Sequence, residues 1–382
     1  MNSSRFTVDG GPDLERRLAQ LCLDVRNAVL ELIPPWRLDG ILLGGGYGRG
    51  EGGVLQTPAG ERPYNDLEFY VFLRGNTLMV ERKFRGPLHQ IGARLSPAAG
   101  LEVEFKVMTL TKLLKAPPSM FYYDLALGNR LIFGDAAVLD SSLAAHRRDA
   151  HRIPLHEATR LLMNRCSGLL FSLERLKRPE FGPEEADFVG RNLAKLELAL
   201  GDVILTSRGE YHWSCRERHQ RLLAIAPAPE MPFLEQVQHH HRAGVDFKLH
   251  PQRTTASREE LEARHRPLSG IARQVWLWLE NRRLGASFSN ASDYAHSSLN
   301  KCPEQPAWRN RLVNLRDRCW SGVLSGRYPR EHLFHALCLL LWDDLALAEG
   351  PLDGQLQREL QTREVQFPGL VAAYERLWHR YH

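Results

Sequence analysis

The chain has 382 residues, long enough for two domains of ordinary size. Apolar residues make up 43% and charged residues 25%, a balance that excludes a disordered chain and indicates a globular one. The formal net charge of +5 is mild for this length, compatible with phosphate or RNA ligands without requiring them. No stretch approaches the roughly 20 uninterrupted apolar residues that span a bilayer. Residues Met1 to Gly11 are polar and lack the apolar core of a secretory signal, so a cytoplasmic protein without membrane partners is expected. The six cysteines (Cys22, Cys166, Cys215, Cys302, Cys319 and Cys338) are scattered, with no Cys-x-x-Cys pair. Several sit in apolar helical patterns and read as small buried hydrophobes rather than disulfide or zinc ligands.

In chain order, Leu14, Leu18, Leu21, Val25 and Leu32 recur at helical spacing until Pro34-Pro35 ends the helix. Gly40-Ile41-Leu42-Leu43 is a short apolar run stopped by three glycines, a buried strand feeding a tight turn. Residues Asp66 to Leu73 alternate, with Leu67, Phe69 and Val71 on one face and Asp66, Glu68 and Tyr70 on the other. A basic helical stretch from about Thr77 to Leu95 follows. A second alternating strand then sets Leu101, Val103, Phe105 and Val107 against Glu102, Glu104 and Lys106. Beyond Pro117-Pro118 the pattern changes, and from about His151 the chain reads as successive helices. Their stripes include Leu162, Leu169, Leu173 and Leu176; Leu193, Leu196, Leu200 and Val203; Ile271, Val275 and Trp278; and Leu333, Leu337, Leu340 and Leu341. Strands first and helices after imply an α+β protein: a small mixed sheet in a catalytic domain at 1–145, then an all-helical domain at 146–382.

Transfer of a phosphoryl or nucleotidyl group asks a protein to position phosphates and neutralise their charge. A glycine-rich turn beside Mg²⁺-binding carboxylates meets that need. Gly44-Gly45-Gly46 leads into Tyr47-Gly48-Arg49-Gly50-Glu51, where the backbone can approach an anion closely. Arg49 either adds a charge-assisted phosphate contact or braces the turn through Glu51. Asp66 and Glu68 leave one strand face about 7 Å apart along the chain, suited to a pair of ions about 4 Å apart. A third carboxylate should come from the neighbouring strand. Glu102 and Glu104 share a face, so alternation does not choose between them; Glu104 is the preferred candidate.

Leu43-Gly44-Gly45-Gly46-Tyr47-Gly48-Arg49-Gly50-Glu51, followed by Asn65-Asp66-Leu67-Glu68-Phe69, resembles the DNA polymerase β-type nucleotidyltransferase superfamily over roughly residues 10–135. The resemblance implies a small mixed sheet flanked by helices and Mg²⁺-dependent, two-metal transfer of a nucleoside monophosphate from a nucleoside triphosphate such as ATP. It matches Gly45 and Gly46 to the phosphate-binding pair, Asp66 and Glu68 to the metal-binding pair, and Glu104 to the third acid. Two departures stand out. Nineteen residues separate Gly46 from Asp66, more than that family usually has, and the insert around Thr57–Pro63 reads as an extended surface turn. Gly46 also stands where a serine is common, which removes one hydroxyl contact.

The segment Tyr123–Asp135 is similar to the closing part of such domains in bacterial small-molecule nucleotidyltransferases, where a helical bundle completes the cleft. Arg191, Lys195 and Asp202 share one polar helix face. On that face Lys195 is a candidate to neutralise triphosphate charge, against the plainer and favoured reading of a solvent-facing helix lysine; Tyr211 is a candidate to stack on a base, and Asp202 or Glu197 a weak candidate for general base. A small-molecule acceptor hydroxyl is favoured because the helical region lacks a basic stripe or an aromatic RNA-binding motif. RNA and protein acceptors, including a toxin-like role on tRNA, are the alternatives, as is a nucleotide-binding module without turnover.

Other features carry blander readings. His239-His240-His241 are consecutive on a helix and point in different directions, which prevents convergence on one ion. His156-Glu157-Ala158-Thr159-Arg160 begins like a zinc-protease helix but has Arg160 where the second histidine is needed. Asp343-Asp344 reads as a helix-surface pair, and Trp276, Trp278, Trp320 and Trp342 read as core aromatics.

Overall fold

The computed structural model describes residues 5–64, 66–147, 149–317, 324, 326–343 and 354–382. Asn65, Cys319, Trp320 and Asp344 lie outside the described residues. Sixteen helices and a small mixed four-stranded sheet make the α+β class plain among them. The chain divides into two compact units, Met1–Pro154 with Arg208–Ala224 and Val245–Gln252, and Leu155–Ser207 with Ile225–Gly244 and Arg253–His382. The sequence division at 145/146 therefore differs from the observed one. Two segments from the helical half, 208–224 and 245–252, belong to the first unit.

In that unit, helix α1 (Pro12–Leu32) precedes strand β1 (Leu38–Leu43), and a one-turn helix α2 (Gly45–Gly48) stands where the glycine triplet suggests a bare turn. The insert is more ordered than an extended turn: β2 (Val54–Thr57) and β3 (Gly60–Pro63) pair as an antiparallel hairpin. Strand β4 (Leu67–Leu73), helix α3 (Thr77–Ala99) and β5 (Val103–Met108) form a parallel crossover. Helices α4 (Leu110–Lys115) and α5 (Met120–Leu127), strand β6 (Arg130–Gly134) and α6 (Ala136–Leu143) complete the mixed region. The sheet order is β5-β4-β1-β6, with β1 antiparallel to both β4 and β6. Alternation along β4 splits its side chains between two cores. Leu67, Phe69 and Val71 pack with α1 and α3 residues such as Val25 and Leu88, while Tyr70 and Phe72 pack with Leu113, Leu125 and Leu139. Both faces of the central strands are thus covered, which fixes their register.

Tyr47 locks the loop that follows α2. Its fully buried hydroxyl donates to the Gly53 carbonyl at 2.8 Å and accepts from the Tyr64 N–H at 2.8 Å. One ring therefore ties the glycine-rich segment to both ends of the inserted hairpin. Glu51 anchors the same segment to helix α9 (Cys215–Leu223): its carboxylate accepts from the Ser214 hydroxyl and from the Cys215 N–H at 2.9 Å. Those bonds explain why 208–224 belongs to this unit.

The second unit is built on long helices: α7 (Leu155–Leu176), α8 (Pro183–Arg208, of which it takes residues up to Ser207), most of α10 (Leu234–Leu249) and α11 (Arg258–Leu284). Shorter ones follow: α12 (Ala291–His296), α13 (Ala307–Arg316), α14 (Arg330–Trp342), α15 (Gln355–Leu360) and α16 (Phe367–Tyr381). The stripes from Leu162, Leu193 and Leu333 are buried except for the half-buried Leu173, and Trp276 packs edge-on against Tyr294 and Phe334 as a core aromatic. A buried carboxylate on α11, Glu280, receives Thr159, Tyr294 and both ends of the Arg283 guanidinium, so its charge is fully met.

Replacing Tyr47 with phenylalanine leaves a buried carbonyl and a partly buried N–H without their partner. The expected loss is about 1–3 kcal/mol, read as a lower midpoint in thermal or denaturant unfolding. An unchanged midpoint means the hydroxyl does not hold the loop.

Candidate metal and phosphate site

Parallel pairing of β4 with β5 sets Glu68 directly beside Glu104. Asp66, just before β4, completes the group: one carboxylate oxygen from each of Asp66, Glu68 and Glu104 lies within 4.8 Å of the other two. Asp66 is exposed, and Glu68 and Glu104 are half-buried. Glu102 is exposed and stands outside this group, its carbonyl engaged by the Leu67 N–H at 2.9 Å. The alternation tie between Glu102 and Glu104 is broken by strand register.

The glycine segment is fastened to the same place. The Gly44 N–H donates to the Glu68 carbonyl at 2.9 Å. Gly45 has φ +62°, and a Cβ there would lie 3.0 Å from Glu68 Oε2, so α2 begins against the carboxylate itself. Gly46 is buried, with Glu51 backbone 3.1 Å from where a Cβ would be.

Two further side chains on the same strand faces shape the cluster. Lys106 Nζ sits 2.7 Å from Glu68 Oε1 and 3.8 Å from Glu104 Oε2, and the Tyr70 hydroxyl donates to Glu68 Oε2 at 3.2 Å. Burial and the adjoining Glu68 charge push the Tyr70 phenol far up, which keeps it a donor. The Glu104 carboxyl is raised chiefly by burial; Lys106 opposes the shift, and Asp66, Glu102 and Glu68 reinforce it. Two carboxylates at such a spacing repel by on the order of 3 kcal/mol at an effective dielectric of ~20. A cation is the natural relief, and within the chain Lys106 supplies one. Sequence alternation already put Lys106 beside Glu104 and Tyr70 beside Glu68. Their contact with the acids follows from register, which alternation alone does not supply.

The remaining candidates fall elsewhere. Arg49 donates through Nη1 to Asp124 Oδ2 at 3.1 Å and to the Trp213 carbonyl at 2.9 Å, with a side chain only 10% exposed. Its guanidinium braces α5 and the 208–224 segment, and Glu51 does the same from Ser214 and Cys215. Tyr211 is 3% exposed, donates to Asp124 and accepts from Arg218, so a base-stacking role for its ring is corrected to a buried structural one. Lys195 is exposed on α8 in the second unit. There too, His240 meets Glu197 at 3.1 Å and His241 meets Asp202 at 3.2 Å, so neighbouring histidines turn to separate acids. No protein-family model matches the chain, and no curated protein matches it significantly. No helix among the described residues is long and apolar enough to cross a membrane.

Lys106→Met removes the built-in cation. Without added metal the variant should unfold at a lower temperature than the parent, and Mg²⁺ or Mn²⁺ should raise its midpoint by more than it raises the parent's. Equal metal-induced shifts would show that Lys106 does not compete for the acids.

Proposed function

We propose that the chain transfers a nucleoside monophosphate from a nucleoside triphosphate to an acceptor hydroxyl, using Mg²⁺ held by Asp66, Glu68 and Glu104. The observation that carries this reading is the convergence of three carboxylates within 4.8 Å beside Gly45. Hard divalent cations prefer such all-oxygen donor sets, so the residues present fit Mg²⁺. When bound, the ions would neutralise triphosphate charge and steady the attacking and leaving oxygens.

The chain's own groups set up the rest. The first turn of α2, opening at Gly45 with no Cβ, leaves backbone room for an anion beside the acids. Tyr70 holds one oxygen of Glu68 through its hydroxyl, which orients that carboxylate. Lys106, now on Glu68, is close enough to the acids to share in balancing incoming phosphate charge. Arg49 contributes by fixing the segment that carries the glycines rather than by touching phosphate. A small-molecule acceptor remains the favoured class. The alternative of a nucleotide-binding module without turnover draws on one observation, the Lys106–Glu68 ion pair across the metal position.

Incubation of the full chain with each labelled nucleoside triphosphate, Mg²⁺ and candidate acceptors tests the reading. Asp66→Ala/Glu68→Ala should lower pyrophosphate release by on the order of 10²–10³-fold. Equal release from parent and double variant overturns the proposal, and triphosphate binding without release supports the silent module.

The third acid is tested separately. Glu104→Gln should cost turnover on the order of 10²-fold, while Glu102→Gln stays near the parent. The reverse pattern in steady-state rates would reassign the ligand.

A further inference from the structure

The second unit encloses a cavity of about 540 Å³ between α7, α8 and α16, apart from every residue used above except Lys195. Close approach of α7 and α8 forms part of its wall: at Gly168 a Cβ would meet Asn192 Oδ1 at 2.5 Å. Its chemistry is of two kinds. Phe171 and Trp378 meet edge-to-face at 5.9 Å, Trp378 also stacks on the His382 ring at 4.1 Å, and together they supply an aromatic wall. Arg165, Arg175 and Lys195 supply positive charge.

Of the two carboxylates in the lining, Glu174 is taken by Arg178 at 2.8 Å, and Glu375 is more than half exposed to solvent. Arg175 stacks its guanidinium 3.6 Å over the Phe188 ring, a contact that leaves its N–H edges for an anion. Arg165 makes no hydrogen bond or ion pair among the described residues; only the Asp202 charge acts on it from a distance. Arg165 is half-buried and its guanidinium nitrogens reach solvent, so they are open to an anion entering the cavity. Two further polar atoms, Asn164 Oδ1 and Trp378 Nε1, are buried without a partner, one an acceptor and the other a donor.

We infer that this cavity binds a nucleoside monophosphate: a planar heteroaromatic ring against Phe171 and Trp378, with its phosphate on Arg165 and Arg175. The volume lies within the range of small-ligand sites. Planar guanidinium groups suit a phosphate's paired oxygens, and aromatic walls accept any base. The site is independent of the carboxylate cluster and of the reaction proposed there.

Calorimetric titration of the full chain in EDTA tests this, with AMP, GMP, CMP and UMP as ligands and inorganic phosphate and adenosine as controls. At least one mononucleotide should bind saturably at one site, with phosphate and adenosine each weaker by about tenfold or more. Arg165→Met, and independently the more peripheral Arg175→Ala, should weaken it by about tenfold, with the second variant deciding if the first fails to fold. Asp66→Ala/Glu68→Ala should leave it unchanged. The inference is overturned if no mononucleotide binds, if inorganic phosphate binds as tightly, if Arg175→Ala binds like the parent, or if binding disappears with the acids.

Discussion

Like charges brought within 4.8 Å set the central constraint in this protein. Asp66, Glu68 and Glu104 cannot sit together at neutral pH without repulsion, yet the backbone leaves them little choice. Parallel pairing of β4 and β5 fixes Glu68 opposite Glu104, and that pairing is itself fixed by apolar side chains on both faces of the sheet. Hydrophobic burial outweighs the repulsion and holds the electrostatic strain in place. Lys106 and the Tyr70 hydroxyl are the chain's partial answer to that strain.

Around the cluster, buried polar bonds convert a glycine-rich loop into a defined surface. Tyr47 bridges both ends of the β2–β3 hairpin, and Arg49 and Glu51 reach α5 and the 208–224 segment. The glycines give freedom to the backbone only where Gly45 and Gly50 use positive φ; elsewhere in the loop the surrounding contacts remove it. Local flexibility in sequence thus becomes rigidity in structure.

Much of this is legible in the sequence because it rests on periodicity. Two-residue alternation places Asp66 with Glu68 and Glu104 with Lys106, and helical spacing marks α1, α7, α8 and α11. Register is not legible. Choosing Glu104 over Glu102 requires knowing which β5 residue stands beside Glu68, a property of two strands and not of either alone. Nor are the long-range partners of Arg49 and Glu51, whose bonds cross more than 160 residues to Trp213 and Cys215. The hairpin in the insert escapes a sequence reading because Leu55-Gln56-Thr57 and Glu61-Arg62-Pro63 carry little β signal. Their pairing depends on Tyr47 and on docking of Glu61 at the Gly11 N–H at the start of α1. The strand at Arg130–Gly134 is likewise too short to declare itself without its partner β1.

Strand β5 lies at the end of the sheet order, so one row of its backbone donors and acceptors has no neighbouring strand among the described residues. Open rims of this kind invite a stray strand from another molecule to add on, and fixed charges along the rim discourage it. Glu104 and Lys106 are carried on that rim. The charged side chains of the carboxylate cluster thus also guard the sheet's rim against a strand from another molecule.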